Sequence, residues 1–195
     1  MTECILWSGG LDSTLLLLRR ARDVGLNRTV NAITILGRDF SSTGQQKQEA
    51  KARKILKKKL PINIRYFYVE VNSDMQSITY QMPTWLAHIT PYIEDYDILN
   101  LGYLSSDGVD FWQKKPAMVE AFNSCMKMMD RSHASIQFPF EYMTKGDVIT
   151  DLKKLKLLKY TWTCGDPKNG KACGKCMKCI SIKRWSSYPD KGKTV

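Results

Sequence analysis

With 195 residues, 43% of them hydrophobic, the chain is long enough for one domain with a real core and a small appendage, and its 25% charged residues argue against global disorder. No apolar run approaches the roughly 20 residues that cross a bilayer. The opening MTECILW carries an acid and lacks the basic start of a secretory signal, so a soluble, cytoplasmic protein without a membrane partner is expected. The formal net charge of +11 concentrates anions, which suits nucleotides, nucleic acid or another anionic surface, although a solvated lysine-rich surface explains it equally well.

ECILW reads as a short buried strand, and TLLLLRRARDVG as a helix with a broad apolar face. TVNAITIL gives a second strand. SSTGQQKQEAKARKILKKKL is a polar-rich helix that Pro61 ends. INIRYFYVEV alternates and is rich in β-branched and aromatic residues, a third strand. PTWLAHITPYIEDY holds helical turns limited by Pro91, and DILNLGYLSSD is a fourth strand with a polar end. KPAMVEAFNSCMKMM is an amphipathic helix in which Cys125 reads as a buried small hydrophobe. ASIQFPF is a last short strand, and TKGDVITDLKKLKLL opens with capping-box spacing from Thr144 to Asp147. Strands alternating with helices predict the α/β class, a mostly parallel Rossmann-like sheet covered on both faces. Composition changes at TWTCGDPKNGKACGKCMKCI, which divides the chain into a domain at 1–159 and a small cysteine-bearing element at 160–195, its end SYPDKGKTV expected to be mobile.

Between the first strand and helix stand Ser8, Gly9 and Gly10. Free backbone N–H groups and the positive end of the helix dipole meet at such a junction, and glycines let an anion approach without a Cβ in the way. Ser8, Ser13 and Thr14 add hydroxyls. Asp12 would repel a phosphate unless it holds a Mg²⁺ ion or caps the turn. A tight strand-to-helix turn capped by serine is the bland alternative. No Gly-Lys-Ser/Thr follows, so this is not a Walker A loop.

SGGLDST resembles the SGGxDS loop of the PP-loop ATP pyrophosphatases, which split ATP into AMP and pyrophosphate. That resemblance implies an adenine nucleotide alpha hydrolase-like fold. It also implies an ATP-binding span over Trp7, Ser8, Gly9, Gly10, Leu11, Asp12, Ser13, Thr14, Leu15, Leu16 and Leu17. Ser8, Gly9, Gly10, Asp12 and Ser13 would be its leading contacts, with Leu15 to Leu17 packing the helix.

Cys164, Cys173, Cys176 and Cys179 form C-x8-C-x2-C-x2-C. Clustered cysteines in a cytosolic chain favour metal over disulfides, and four thiolates suit one structural zinc with no open position for a catalytic water. An iron–sulfur cluster is the alternative that the same count allows. Lys171, Lys175 and Lys178 would offset the negative charge of a zinc–tetrathiolate centre.

An SGGxDS loop near one end and these cysteines near the other resemble the 7-cyano-7-deazaguanine synthase family of deazapurine and queuosine biosynthesis. QQKQEAKARKIL, NLGYLSSD with Asp107, and TKGDVITDL are weaker matches between them. The last makes Lys145 a phosphate-contact candidate, so Asp12 and Lys145 are the expected catalytic pair. The resemblance implies an ATP-dependent ligase that joins 7-carboxy-7-deazaguanine and ammonia into the nitrile through adenylated intermediates. ATP, one structural zinc and Mg²⁺ are its expected cofactors. Two stretches depart from the family. QMPTWLAHITPYI lacks its Gly-Arg-Asn, and GVDFWQKKPAM replaces its Tyr-Pro-Asp-Cys-Arg-like segment. A related ligase that stops at the amide or takes another acceptor is therefore the alternative. A tRNA thiolase is disfavoured, since Cys4 and Cys125 form no obvious sulfur relay. A zinc-containing nucleic-acid module without catalysis is the alternative of another class, and nucleic acid is an unfavoured partner. A homodimer is compatible with the sequence, and His88, His133 and the tryptophans Trp85, Trp112, Trp162 and Trp185 read as structural.

Overall fold

The computed structural model describes residues 2–24, 29–37, 44–60, 62–71, 85–93, 95–131 and 133–187. In chain order these form β1 (Glu3–Leu6), α1 (Leu11–Val24), β2 (Thr29–Gly37), α2 (Gly44–Lys59), β3 (Asn63–Val71) and a helix α3, described over 85–89 and continued by a 3₁₀ turn at Thr90–Tyr92. They go on to β4 (Ile98–Asn100), a 3₁₀ turn at Ser105–Asp107, α4 (Val109–Met128), β5 (Ser135–Gln137), α5 (Lys145–Lys154), a 3₁₀ turn at Leu158–Tyr160 and α6 (Met177–Ser186).

The strands make one sheet in the order β3-β2-β1-β4-β5, every pair parallel. Parallel neighbours need crossovers, and α1 and α2 provide them on one side of β1. Side chains alternate across the sheet and divide the core in two. Ile5, Val30, Ala32 and Ile64 face α1, α2 and α5, packing with Leu15, Leu16, Leu56 and Val148. Cys4, Ile33, Val69 and Leu99 face the other way, onto Leu86, Ile89, Met118, Phe122 and Met126. This is the α/β, Rossmann-like arrangement that the alternation of strands and helices predicts. No helix of the described residues is long and apolar enough to cross a membrane.

The chain reverses its direction of sheet growth between β1 and β4. In open parallel sheets that reversal opens a crevice beyond the carboxyl ends of the two strands, which is where ligands bind. The glycine turn after β1 and the segment 101–108 after β4 flank it. They touch: a Cβ at Gly102 would lie 3.2 Å from both the Asp12 carbonyl carbon and the Ser13 nitrogen.

Local chemistry explains several boundaries. Thr144 and Asp147 form the expected capping box at α5, with the Asp147 carboxylate accepting from the Thr144 N–H at 2.8 Å and the Thr144 hydroxyl accepting from the Asp147 N–H at 3.3 Å. Helix α4 starts well before the expected Lys115, leaving Pro116 inside it. Proline favours a first helical turn, which made Lys115-Pro116 look like a start. Phe111 instead stacks on Tyr103 at 4.1 Å, with Trp112 and Phe138 edge-on to it, so aromatic packing carries the earlier turns. Cys125 is exposed, contrary to expectation, because Phe122 and Met126 take the inward positions of α4. The stop at Pro61 and the tail from residue 188 lie outside the described residues.

Candidate nucleotide loop and four-cysteine site

The loop between β1 and α1 is held from below. Trp7 is completely buried, its indole N–H donating to the Thr14 hydroxyl at 3.2 Å and its carbonyl accepting from the Thr34 hydroxyl at 2.6 Å. Leu11, Leu15, Leu16 and Leu17 are buried in the core with it. Of the span Trp7 to Leu17, Ser8, Gly10 and Asp12 are the residues that reach the surface.

Each carbonyl of the turn has a donor. Arg53 of α2 donates from Nη1 to the Ser8 carbonyl at 2.6 Å, the Trp162 N–H donates to the Gly9 carbonyl at 3.1 Å, and the Thr14 N–H to the Gly10 carbonyl at 3.2 Å. The amides are divided. Ser8 N–H donates to the Ser13 hydroxyl at 3.2 Å and Gly10 N–H to the Ser8 hydroxyl at 3.1 Å, while those two hydroxyls lie 3.1 Å apart. The N–H groups of Gly9, Leu11, Asp12 and Ser13 have no hydrogen-bond partner among the described residues. Such a run of unpaired amides at a helix start is a cradle for an anion.

Gly9 makes the turn feasible. Its φ is +86°, and a Cβ there would stand 2.8 Å from Arg53 Cγ and 3.1 Å from the Glu49 carbonyl oxygen. Gly9→Ala is therefore expected to destabilise the protein by about 1–3 kcal/mol, because left-handed strain and displacement of a buried arginine add together. Denaturant melts measure it; an unchanged midpoint would show that the turn relaxes freely.

Asp12 lies at the centre of the charge pattern. Its Oδ2 is 2.5 Å from Lys145 Nζ, with the two side chains 25% and 18% exposed. Its Oδ1 is buried without a hydrogen-bond partner among the described residues. An unsatisfied carboxylate oxygen is costly, and a cation or a proton donor on a ligand would satisfy it. Lys145 is the first residue of α5, its backbone N–H donating to the Ser106 hydroxyl at 3.2 Å. Asp107 accepts from the Leu104 N–H at 2.7 Å. Loss of water around its carboxyl pushes the Asp107 pKa up from the ordinary value, and nearby Asp12 adds to that, while the Leu104 N–H and Lys145 oppose it. The structure thus brings together Asp12, Lys145 and the loop, and sets Asp107 beside them.

Two residues outside the expected set support the loop. Arg53 is 2% exposed and follows Glu49 by one helical turn, in phase with Leu56 and Leu60. An arginine on the apolar stripe of a polar helix was the available signal. Trp162 was the other, and its backbone role left no mark in the sequence.

The four cysteines converge. Cys164 follows the 3₁₀ turn at Leu158–Tyr160, Cys173 and Cys176 lie on the returning strand of a tight hairpin and its knuckle, and Cys179 is in the first turn of α6. Asn169 and Gly170, with φ of +49° and +75°, turn the hairpin, whose Lys168 and Lys171 exchange backbone hydrogen bonds at 2.9 and 3.0 Å. Gly174, at φ +73°, makes the first CxxC bend. All four Sγ atoms lie within 4.8 Å of one another, with Cys164 to Cys173 at 3.6 Å and Cys164 to Cys176 at 4.0 Å. Thiolates 2.3 Å from a tetrahedral centre stand about 3.8 Å apart, so the cluster is the right size for one ion. Amides of Lys175 and Cys176 lower the Cys173 thiol from its ordinary value, favouring the thiolate that binds metal. Elsewhere, exposed His133 sits 3.2 Å from Asp97, and Trp112 donates to the Leu104 carbonyl.

A family model described as queuosine biosynthesis protein QueC matches residues 84–189. The chain is 22% identical over 213 aligned positions to 7-cyano-7-deazaguanine synthase of Picrophilus torridus, covering 92% of this chain and 85% of that one. It is 28% identical over 204 positions to the protein of the same name from Thermoplasma acidophilum, covering 90% and 83%. Among solved structures, the U34-tRNA thiolase NcsA from Methanococcus maripaludis, determined with its 4Fe–4S cluster, superposes with a TM-score of 0.59 at 16% identity. That match covers 89% of this chain and 62% of the thiolase, and it is a likeness of fold.

Proposed function

The chain belongs to the queuosine biosynthesis protein QueC family, and on that premise we propose that it is an ATP-dependent carbon–nitrogen ligase making 7-cyano-7-deazaguanine from 7-carboxy-7-deazaguanine and ammonia. The observation that carries the ATP half of this reading is the loop itself. The unpaired amides of Gly9, Leu11, Asp12 and Ser13 lie at the sheet's switch point, together with the Asp12–Lys145 pair and a buried Asp12 oxygen that has no hydrogen-bond partner among the described residues.

A carboxylate resists ammonia because oxide would have to leave. In the proposed first step a carboxylate oxygen attacks the α-phosphorus of ATP, and the bond to the bridging oxygen breaks. Pyrophosphate then leaves into the loop, where amides, hydroxyls of Ser8 and Ser13, and Lys145 share its charge. Ammonia attacks the acyl carbon, AMP departs, and a proton is lost. The amide oxygen then repeats the attack on a second ATP; expulsion of AMP with loss of the remaining N–H protons leaves the nitrile. The protein orients and stabilises charge, and no side chain need act as a nucleophile. Asp12 would hold Mg²⁺ through its free Oδ1, and that ion would neutralise phosphate charge.

For the cysteines we propose zinc in a structural role, forming with residues 160–195 a metal-bound element appended to the nucleotide domain. Four sulfurs within 4.8 Å suit one shared ion. An iron–sulfur cube binds each thiolate to a different iron and needs them farther apart.

A second reading stands on one observation. The departures after Asp107 form the first turns of α4, where Phe111 and Trp112 pack beside the crevice-lining segment 101–108. A ligase that halts at the amide, or that takes another acceptor, is compatible with that change. Mass spectrometry after incubation with ATP, ammonium and 7-carboxy-7-deazaguanine separates acid, amide and nitrile. The nitrile mass is expected. Amide alone would replace the first reading with the second, and unreacted acid with no AMP would remove both.

A further inference from the structure

We propose that Trp162 is a positioning residue through which occupation of the four-cysteine site sets the shape of the glycine turn, so that metal and nucleotide bind cooperatively. The inference rests on the turn being the nucleotide site. In a trans peptide the N–H of one residue points opposite to the carbonyl of the residue before it. Whatever grips the carbonyls of Ser8 and Gly9 therefore aims the amides of Gly9 and Gly10.

Both grips lead back to the cysteine element. The Gly9 carbonyl is held by the Trp162 N–H at 3.1 Å, and the Trp162 indole N–H donates to the Cys164 carbonyl at 2.9 Å. One residue thus joins a metal-ligand candidate, itself 1% exposed, to the turn. The Ser8 carbonyl is held by Arg53, and the first turn of that arginine's helix rests on the cysteine hairpin. A Cβ at Gly44 would meet Pro167 at 2.9 Å, and Cβ atoms at Gly165 and Gly170 would lie 3.5 Å from Gln45 and 3.3 Å from Gln48.

An ion holding Cys164 against Cys173 and Cys176 keeps the seat of Trp162 in place. Without it no shared ion ties Cys164 to Cys173 and Cys176, and Cys164 is free to draw Trp162 off the Gly9 carbonyl. A nucleotide that requires the formed turn must then favour the metal-bound state, and by linkage each ligand tightens the other by the same factor.

Transfer of zinc from the loaded protein to a chromogenic chelator, with and without a saturating non-hydrolysable ATP analogue, tests this in wild type and in Trp162→Phe. Phenylalanine keeps the backbone N–H and an aromatic ring but deletes the indole donor. The analogue is expected to slow transfer about 5- to 10-fold in wild type and less than 2-fold in the variant. Calorimetry should show the variant, with its zinc bound, losing analogue affinity by a similar factor. A general loss of stability would change the rates but not their dependence on nucleotide. Equal protection in both proteins overturns the proposal, as does a wild type that binds the analogue without protecting its zinc. If wild type gives no calorimetric signal with the analogue, the nucleotide reading itself falls and takes the coupling with it. Should Trp162→Phe fail to fold, Trp162→Leu, which also keeps the backbone N–H and lacks the indole donor, takes its place in the same comparison.

Discussion

Asp12→Ala is expected to cut AMP formation by roughly 10²- to 10³-fold or more, the loss typical when one contribution to transition-state charge stabilisation is removed, here through the Mg²⁺ that Asp12 would hold. The carboxylate pairs with Lys145 beside the unpaired amides, and its own Oδ1 is buried with no hydrogen-bond partner among the described residues. The Asp12 side chain is 25% exposed and is not among the buried core residues, so far-UV dichroism and zinc content should be unchanged. Because Lys145 is its partner at 2.5 Å, Lys145→Met and the double variant should cost about as much as either change alone, as for groups acting on one phosphate. Unchanged turnover of Asp12→Ala, measured by AMP release, would show that the turn has been assigned the wrong task.

Cys176→Ser should lose zinc and soluble protein together. A structural zinc site contributes on the order of 10 kcal/mol to ordering its segment, comparable with the roughly 5–15 kcal/mol that stabilises a whole domain. Here the segment is also a support: it supplies Trp162 to the loop, and Trp185 packs within 3.0 Å of where a Cβ would stand on Gly146, next to Lys145. Metal analysis and thermal melts check the expectation. A zinc-free variant that melts cooperatively and turns over normally would contradict it.

Local periodicity and punctuation were legible in the sequence. The alternation in β3, the capping box at Thr144 and the cysteine spacing each depend on neighbours a few residues away, and each has its structural counterpart. The exposure of Cys125 is not legible in the sequence, because its helix is apolar on more than one side and sequence alone does not say which side the sheet takes. The early start of α4 was hidden for a similar reason, since Phe111 is held there by Tyr103 from another element. In the candidate site, the turn and the cysteines were visible as motifs, but their supports were not. Arg53 is one basic residue among many in α2, and its burial follows only once the turn lies over it. Trp162 acts on Gly9 through its backbone, which no side-chain pattern records.

That the β1–α1 turn receives the diphosphate of an adenine nucleotide is tested most directly by a crystal structure with a non-hydrolysable ATP analogue. The β- and γ-phosphate oxygens should lie about 2.7–3.2 Å from the N–H groups of Gly9, Leu11, Asp12 and Ser13, with Lys145 turned from Asp12 toward them. Phosphates bound elsewhere on the basic surface, with those amides still unpaired, would contradict it.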